Sequence, residues 1–376
     1  MCGMRRTFGV VAIFLGLAAC QPRGEVRIDP AAAALGTVET VFVGTTRGET
    51  PATGEEYGRA RSEVTRFARL DVSVPPDRKP GAIRFTPPRR KPDPQTDFVT
   101  TKEISYPEPR AFRDDLAGAL RREGRGRREA VIFVHGFNTT FAEGAYRLAQ
   151  LGHDLDLNGV LVHYSWPSRA HALGYVYDRD SALFARDGLE VLLRQVEAAG
   201  AERVLIVAHS MGAALTMETL RQIAIEEDQP VLDRIEAVVL ISPDIDIDVF
   251  RAQARRVGPL ANPIIIFTSR KDRALALSAG LTGEADRLGN LTDVAELGDL
   301  DVTLLDTTAF STGAGHFNVG NSPALLALLG RIGDVDSVLA ADQSARTGLL
   351  PGAVLTVQGA TQIVLYPVAA ISGLQR

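Results

Sequence analysis

The sequence predicts an α/β domain, with a mostly parallel central sheet covered by helices on both faces. Three observations carry that expectation. Short apolar runs at residues 130–134, 203–208 and 235–241 have the length and composition of buried strands. Amphipathic segments of helical length alternate with them, the order that lays crossover helices over both faces of a sheet. Residues 204–212 read Val-Leu-Ile-Val-Ala-His-Ser-Met-Gly, an apolar strand running straight into a serine between small residues.

Taken in order, residues 38–45 and 70–74 are strand candidates, the second alternating Val72 and Val74 with polar neighbours. Residues 75–110 are rich in proline and charge and read as a long connection, with a short strand at 82–85. A short helix is expected over 111–122, a buried strand over 130–134, and a helix over 141–155. Then come a strand at 159–165, a helix at 181–198, the strand at 203–208 and a helix at 211–225. Strands follow at 235–241, 263–268 and 302–306, and a closing helix at 322–332. The stretch 274–300 is too long for a simple crossover and is a candidate lid or lining. Apolar β-type runs at 353–357 and 362–366 suggest an added hairpin, because Gln358, Gly359, Thr361 and Gln362 interrupt any membrane-length run.

The N-terminus points to export. Arg5 and Arg6 precede an uncharged apolar stretch from residue 8 to 19, too short to span a bilayer but suited to a signal sequence. It ends in Leu17-Ala18-Ala19-Cys20, which resembles the lipobox of bacterial lipoproteins. That resemblance implies cleavage before Cys20 and lipidation of its sulfur; a plain secretory signal with an incidental cysteine is the other reading. Gln21 in place of an aspartate favours, by the same resemblance, the outer membrane facing the periplasm. The expected organisation is a signal peptide over 1–19, a lipidated Cys20 with a Pro/Ala/Gly-rich tether to 36, a catalytic domain over 37–335 and a C-terminal extension over 336–376.

Composition narrows the chemistry. Cys2 lies in the signal, so the mature chain holds only Cys20, which excludes an internal disulfide, a cysteine metal site and a cysteine nucleophile. Stability must come from a core, and a chain of this length with 45% hydrophobic residues can bury one. A net charge of -5 gives no reason to expect a nucleic-acid partner. The basic cluster at 121–128 has two glycines and no aromatics, and reads as a solvated loop.

A serine hydroxyl is a weak nucleophile unless a histidine takes its proton and a carboxylate holds that histidine. Ala208-His209-Ser210-Met211-Gly212 fits a nucleophile elbow, where the residues two before and two after the serine must be small. Of six histidines, only His316 follows the elbow, in Gly313-Ala314-Gly315-His316 after the strand at 302–306. Asp272 follows the strand at 263–268, where an active-site acid belongs; Asp244, past the preceding strand, is its rival. Two backbone N–H groups should hold the oxyanion, one from Met211 and one from Phe137 in the loop His135-Gly136-Phe137-Asn138. His135 and His209 are read as packing residues, with His209 turned to the opposite side of the strand from the serine. Trp166, Tyr175 and Tyr177 are candidates to line a substrate pocket or to pack in core and rim.

Together the elbow, the His-Gly-Phe-Asn loop, Asp272 and His316 resemble the α/β-hydrolase superfamily. Phe133-Val134-His135-Gly136-Phe137-Asn138, Tyr164-Ser165-Trp166-Pro167-Ser168 and Ser242-Pro243-Asp244-Ile245-Asp246 make the chain similar to a bacterial group of such hydrolases whose domain has no known function. Ala208 departs from the usual glycine, at a position that needs only a small residue. The resemblance implies the α/β-hydrolase fold and ester or amide hydrolysis, over about residues 38–335. The leading expectation is a lipid-anchored carboxylesterase or lipase-like enzyme that needs no metal or cofactor. Its substrate would be a small-molecule or lipid ester, and its membrane contact the N-terminal anchor. Acyl transfer or amide cleavage by the same triad, or a non-catalytic envelope scaffold on this fold, are the alternatives.

Overall fold

The computed structural model describes residues 23–50, 55–283, 287–291, 293–310, 316, 318–323, 326, 354–357 and 360–364. The signal peptide, Cys20 and Gln21 lie outside these residues, as do most of the expected closing helix at 322–332 and of the extension from 336.

Among the described residues eleven strands form one sheet, in the order β10-β11-β9-β8-β7-β6-β4-β5-β1-β2-β3. In chain order the strands are β1 (Thr37–Thr50), β2 (Glu55–Val74), β3 (Val99–Tyr106), β4 (Glu129–Val134), β5 (Val160–Ser165) and β6 (Arg203–His209). They continue with β7 (Ile235–Ile241), β8 (Ile264–Thr268), β9 (Val302–Asp306), β10 (Val354–Val357) and β11 (Ala360–Val364). From β11 through β9, β8, β7, β6, β4 and β5 to β1 every neighbour is parallel. The β1-β2-β3 edge and the β10-β11 pair are antiparallel.

The helices are α1 (Pro109–Glu123), α2 (Phe141–Leu155), α3 (Tyr175–Phe184), α4 (Arg186–Ala198), α5 (Met211–Ile225), α6 (Gln229–Leu232), α7 (Ile247–Val257), α8 (Arg273–Thr282) and α9 (Asn318–Asn321). Because strand side chains alternate, β4 feeds two cores: Ile132 and Val134 enter one, Val131 and Phe133 the other. The first core includes Leu189, Leu192 and Leu193 of α4 together with Leu215 and Leu220 of α5. The second includes Ala145, Tyr146 and Leu148 of α2. A strand buried on both faces must read as an unbroken apolar run, as residues 130–134 do.

Several expectations need correction. The second strand is far longer than residues 70–74, because β2 pairs with β1 as an antiparallel ribbon whose outer half is exposed. Residues 82–85 form no strand; β3, at 99–106, is the one that falls in the connection. The helix expected over 181–198 is two, α3 and α4, meeting at Ala185, whose N–H turns back to Ser181 and Ala182. An amphipathic helix, α7, occupies a stretch given no element.

The segment expected as a tether is docked over its described part, 23–36. Arg23 pairs with Glu143 of α2 and donates to the Asn138 side chain and carbonyl. Ile28 bridges to Thr100, and Ala32, in a short 3-10 helix at Pro30–Ala34, is buried. Backbone pairing and buried apolar area hold it there, which a free tether would lack. The residues at 354–357 and 360–364 do form the expected added strand pair: β10 pairs antiparallel with β11, and β11 extends the main sheet beside β9.

Candidate active site

The central strands end on one edge of the sheet, and the loops that leave them carry the candidate residues. At the end of β6 the chain turns through Ser210, which sits at φ 52 and ψ -121, in a region that side chains rarely occupy. A non-glycine residue held there marks a turn imposed by its surroundings. Gly212 is the reason the turn can close. A Cβ at that position would lie 2.3 Å from the His135 carbonyl oxygen and 2.6 Å from that of Val134. Ala208 is fully buried, so smallness is also needed two residues before the serine. Met211 opens α5, and amides in a first helical turn have no acceptor within the helix. Its N–H is thereby available to a developing oxyanion.

His316 and Asp272 come together from loops after β9 and β8. His316 Nδ1 lies 2.8 Å from Asp272 Oδ2. The other carboxylate oxygen, Oδ1, accepts the N–H groups of Ala274 and Leu275, both at 3.0 Å, and so caps α8. Asp272 is thus fixed by the helix start, and one oxygen is left for the histidine. Its side chain is fully buried, whereas that of His316 keeps 22% of its surface open. The pairing leaves Nε2 as the nitrogen that can exchange a proton with a hydroxyl.

Asp244 has different partners. It accepts from the hydroxyls of Tyr175 at 2.9 Å and Ser278 at 2.6 Å, and faces Arg287 at 3.4 Å. Its N–H donates to the Ser210 carbonyl. It braces the loop after β7 against the elbow, α3 and α8. Ser242, just before it, also takes a positive φ, of 45, and Gly289 packs against that bend with no room for a Cβ.

The His-Gly-Phe-Asn loop leaves β4 beside the elbow, and a Cβ on Gly136 would strike the His209 ring. His135 stacks on the Trp166 indole at 4.8 Å, and the indole N–H donates to the His135 carbonyl. Trp166 is fully buried, so it belongs to the packing that fixes the loop and lines no pocket. Burial, with the nearby Arg47 guanidinium, holds the His135 imidazole well below its usual pKa. It is neutral; its Nδ1 lies 2.8 Å from the Gly136 carbonyl, and its Nε2 lies 3.1 Å from the Trp166 carbonyl and 3.4 Å from Arg47 Nη2. His209 lines a cavity of about 220 Å³ with Phe133 and Arg147. Its ring also lies 4.8 Å from that of His316 and its Nε2 donates to the His316 carbonyl, so it packs against His316 from behind. Burial and the neighbouring His316 keep His209 well below its usual pKa and neutral.

Three supports escaped the sequence reading. Arg47, fully buried in β1, donates to Ser165, Ser168, Gly58 and Thr139, and burial lowers it to about 10. Asp178 accepts the Asn138 N–H and the Ser168 hydroxyl. Arg23 grips Asn138 from the other side. A cation inside a strand is the sequence signal that could have revealed Arg47. Beside Met211 opens a groove of about 210 Å³, lined by Tyr175, Leu183, Ala214, Leu215, Ile245 and Val249 among others. Tyr177 lies outside it, sandwiched between Arg61 and Arg169. Among the described residues no cluster of His, Cys, Asp or Glu could hold a metal ion.

No curated protein matches the chain. Lipase B of Aspergillus fumigatus is similar at 15% identity and a TM-score of 0.35, over 55% of this chain and 52% of that one. A cutinase-like protein from a Cryptococcus species matches at 10% identity and 0.31, over 54% of this chain and 93% of its own. An esterase of Pyrococcus furiosus matches at 14% and 0.30, over 77% and 88%. A family model matches residues 109–330, more than half of the chain, and with it the elbow, the loop after β4 and the strands that carry Asp272 and His316. The chain belongs to the family described as alpha/beta hydrolase of unknown function (DUF900).

Proposed function

We propose that the protein is a serine hydrolase that cleaves carboxylic esters through an acyl-enzyme. Ser210 attacks the acyl carbon, and His316 takes its proton and returns it to the leaving group. Asp272 orients the imidazole and stabilises its charged form, and the N–H groups of Met211 and Phe137 hold the oxyanion. Water then releases the acyl group. The observation that carries this reading is the 2.8 Å contact between His316 and a carboxylate locked by a helix cap, on the same sheet edge as a serine in a strained elbow. Asp244 already shares its oxygens among Tyr175, Ser278 and Arg287, which supports Asp272 as the acid. The groove beside Met211 suits an acyl chain. The lipobox-like Leu17-Ala18-Ala19-Cys20 supports anchoring to the bacterial envelope through Cys20.

The test is labelling of the purified protein with a fluorophosphonate, which reacts only with an activated serine. Labelling should vanish in Ser210→Ala, collapse in Asp272→Ala and persist in Asp244→Ala. A folded wild type that does not label would remove the catalytic reading. Incorporation of labelled fatty acid that disappears in Cys20→Ala checks the anchor.

A further inference from the structure

Of the ten large hydrophobic side chains that stand exposed on the described surface, five sit on three short segments around the groove: Leu173, Val176, Leu183, Val249 and Leu277. Leu183 and Val249 line the groove itself, from α3 and α7. Leu173 and Val176 flank Tyr175, and Leu277 precedes Ser278. The Tyr175 hydroxyl, which lines the groove, meets Ser278 at 2.6 Å, so the segments that carry these three residues pack together beside the groove. Leu173 is 90% exposed and Val176 is 74% exposed. Scattered exposed apolar residues need no explanation, but a ring of them at the mouth of a site does.

The charge beside this ring runs against that of the molecule. The net charge of the chain is -5. On residues 169–183 and 270–280 the exposed cations are Arg169, Arg179, Arg270, Lys271 and Arg273, and the one exposed anion is Asp180. Asp248 adds a second anion from α7, and Asp306 engages Arg270. Apolar tips among cations are the composition of a surface that enters the headgroup layer of an anionic bilayer.

We infer that the mouth of the groove docks on an anionic lipid surface, from which the site draws its substrate. This rests on the ester-hydrolase reading, and it names the substrate class: an ester with a chain long enough to stay in a bilayer. The apolar ring would displace headgroup water while the cations meet lipid phosphates, and the acyl chain would pass into the groove without crossing water.

The test uses the full chain in vesicles of phosphatidylcholine with and without phosphatidylglycerol, so that any N-terminal anchor acts equally in both. Backbone hydrogen exchange over residues 171–184 and 273–280 should slow only where the anionic lipid is present, and salt should abolish the effect. The double variant Leu173→Ser with Leu277→Ser should raise KM for an ester carried in the vesicles by about tenfold or more. It should leave kcat/KM for a soluble short-chain ester unchanged. Equal exchange in both lipids, or vesicle-ester kinetics like wild type, would overturn the proposal. So would a wild-type dimer that the double variant dissolves, since a second copy would then cover the ring. Loss of soluble-ester activity in wild type would sink the hydrolase reading and leave the exchange result to judge the docking.

Discussion

At the scale of single residues the site depends on atoms that leave no room for change. A methyl group on Gly212 would overlap the carbonyls of His135 and Val134. Gly212→Ala should therefore cost about 1–3 kcal/mol of stability, and reduce fluorophosphonate labelling further than that loss explains. Thermal unfolding and labelling on the same sample separate the two effects. Asp272→Asn keeps the shape of the side chain but not its charge, and should lower kcat by about 10⁴ on an ester substrate. Asp244→Asn should cost far less, because Asp244 makes its contacts with Tyr175, Ser278 and Arg287 and supports the loop. Steady-state kinetics of the pair rank the two carboxylates.

His163 gives a pH prediction with a definite sign. It is buried between β4 and α2, where a Cβ on Gly144 would strike its ring, and burial lowers it to about 3. In an unfolded chain it titrates near about 6.5. Above that pH both states are neutral and His163 makes no difference. Below it the unfolded chain binds a proton that the native one refuses, so stability falls as the pH drops from about 6.5 toward about 3. His135 and His209 shift in the same direction and add to the slope. Melting temperatures followed from pH 7 to pH 4 should fall, and His163→Gln should flatten part of that fall.

At the scale of elements, sequence and structure agree where burial writes a pattern. Strand β4 is enclosed on both faces, while β6 and β7 are buried on one face and partly covered on the other, and such strands must be largely apolar. The elbow was legible because its small residues answer a steric demand. Strands β2 and β3 were illegible over most of their length, since a ribbon with an exposed face is held by backbone pairing, which any sequence supplies. Residues 55–66 carry six charged side chains, Glu55, Glu56, Arg59, Arg61, Glu63 and Arg66, and no apolar alternation. The break at Ala185 has no glycine or proline to announce it. The docked segment at 23–36 looked like linker because its holding groups are few and distant in sequence. Arg23→Ala removes its contacts with both Glu143 and Asn138. With the guanidinium partly solvated, the expected cost is about 1 kcal/mol. The larger effect should fall on turnover, because Asn138 belongs to the loop that carries Phe137. A drop in kcat with little change in melting temperature is the expected outcome.

At the scale of the whole molecule, one sheet joins the lead segment, the edge that carries Ser210, Asp272 and His316, and the C-terminal strands. The parallel pairing of β11 with β9 covers the strand from which the chain runs on to His316. Removing residues 336–376 would bare a row of unpaired backbone groups on β9, an edge that recruits other strands. The truncated protein should self-associate in light scattering and label weakly at Ser210. A chain of independent modules would show neither.

The grip of Arg23 on the loop after β4 also sets a distance. Two residues, Gln21 and Pro22, separate Cys20 from Arg23, and the three Cα–Cα steps reach roughly 10 Å at full extension. A lipid on Cys20 would thus leash the catalytic edge with almost no slack. Encounter would become a search in two dimensions, limited to molecules diffusing in the leaflet that holds the leash. Turnover would then follow the surface density of substrate and barely respond to its concentration in the surrounding water.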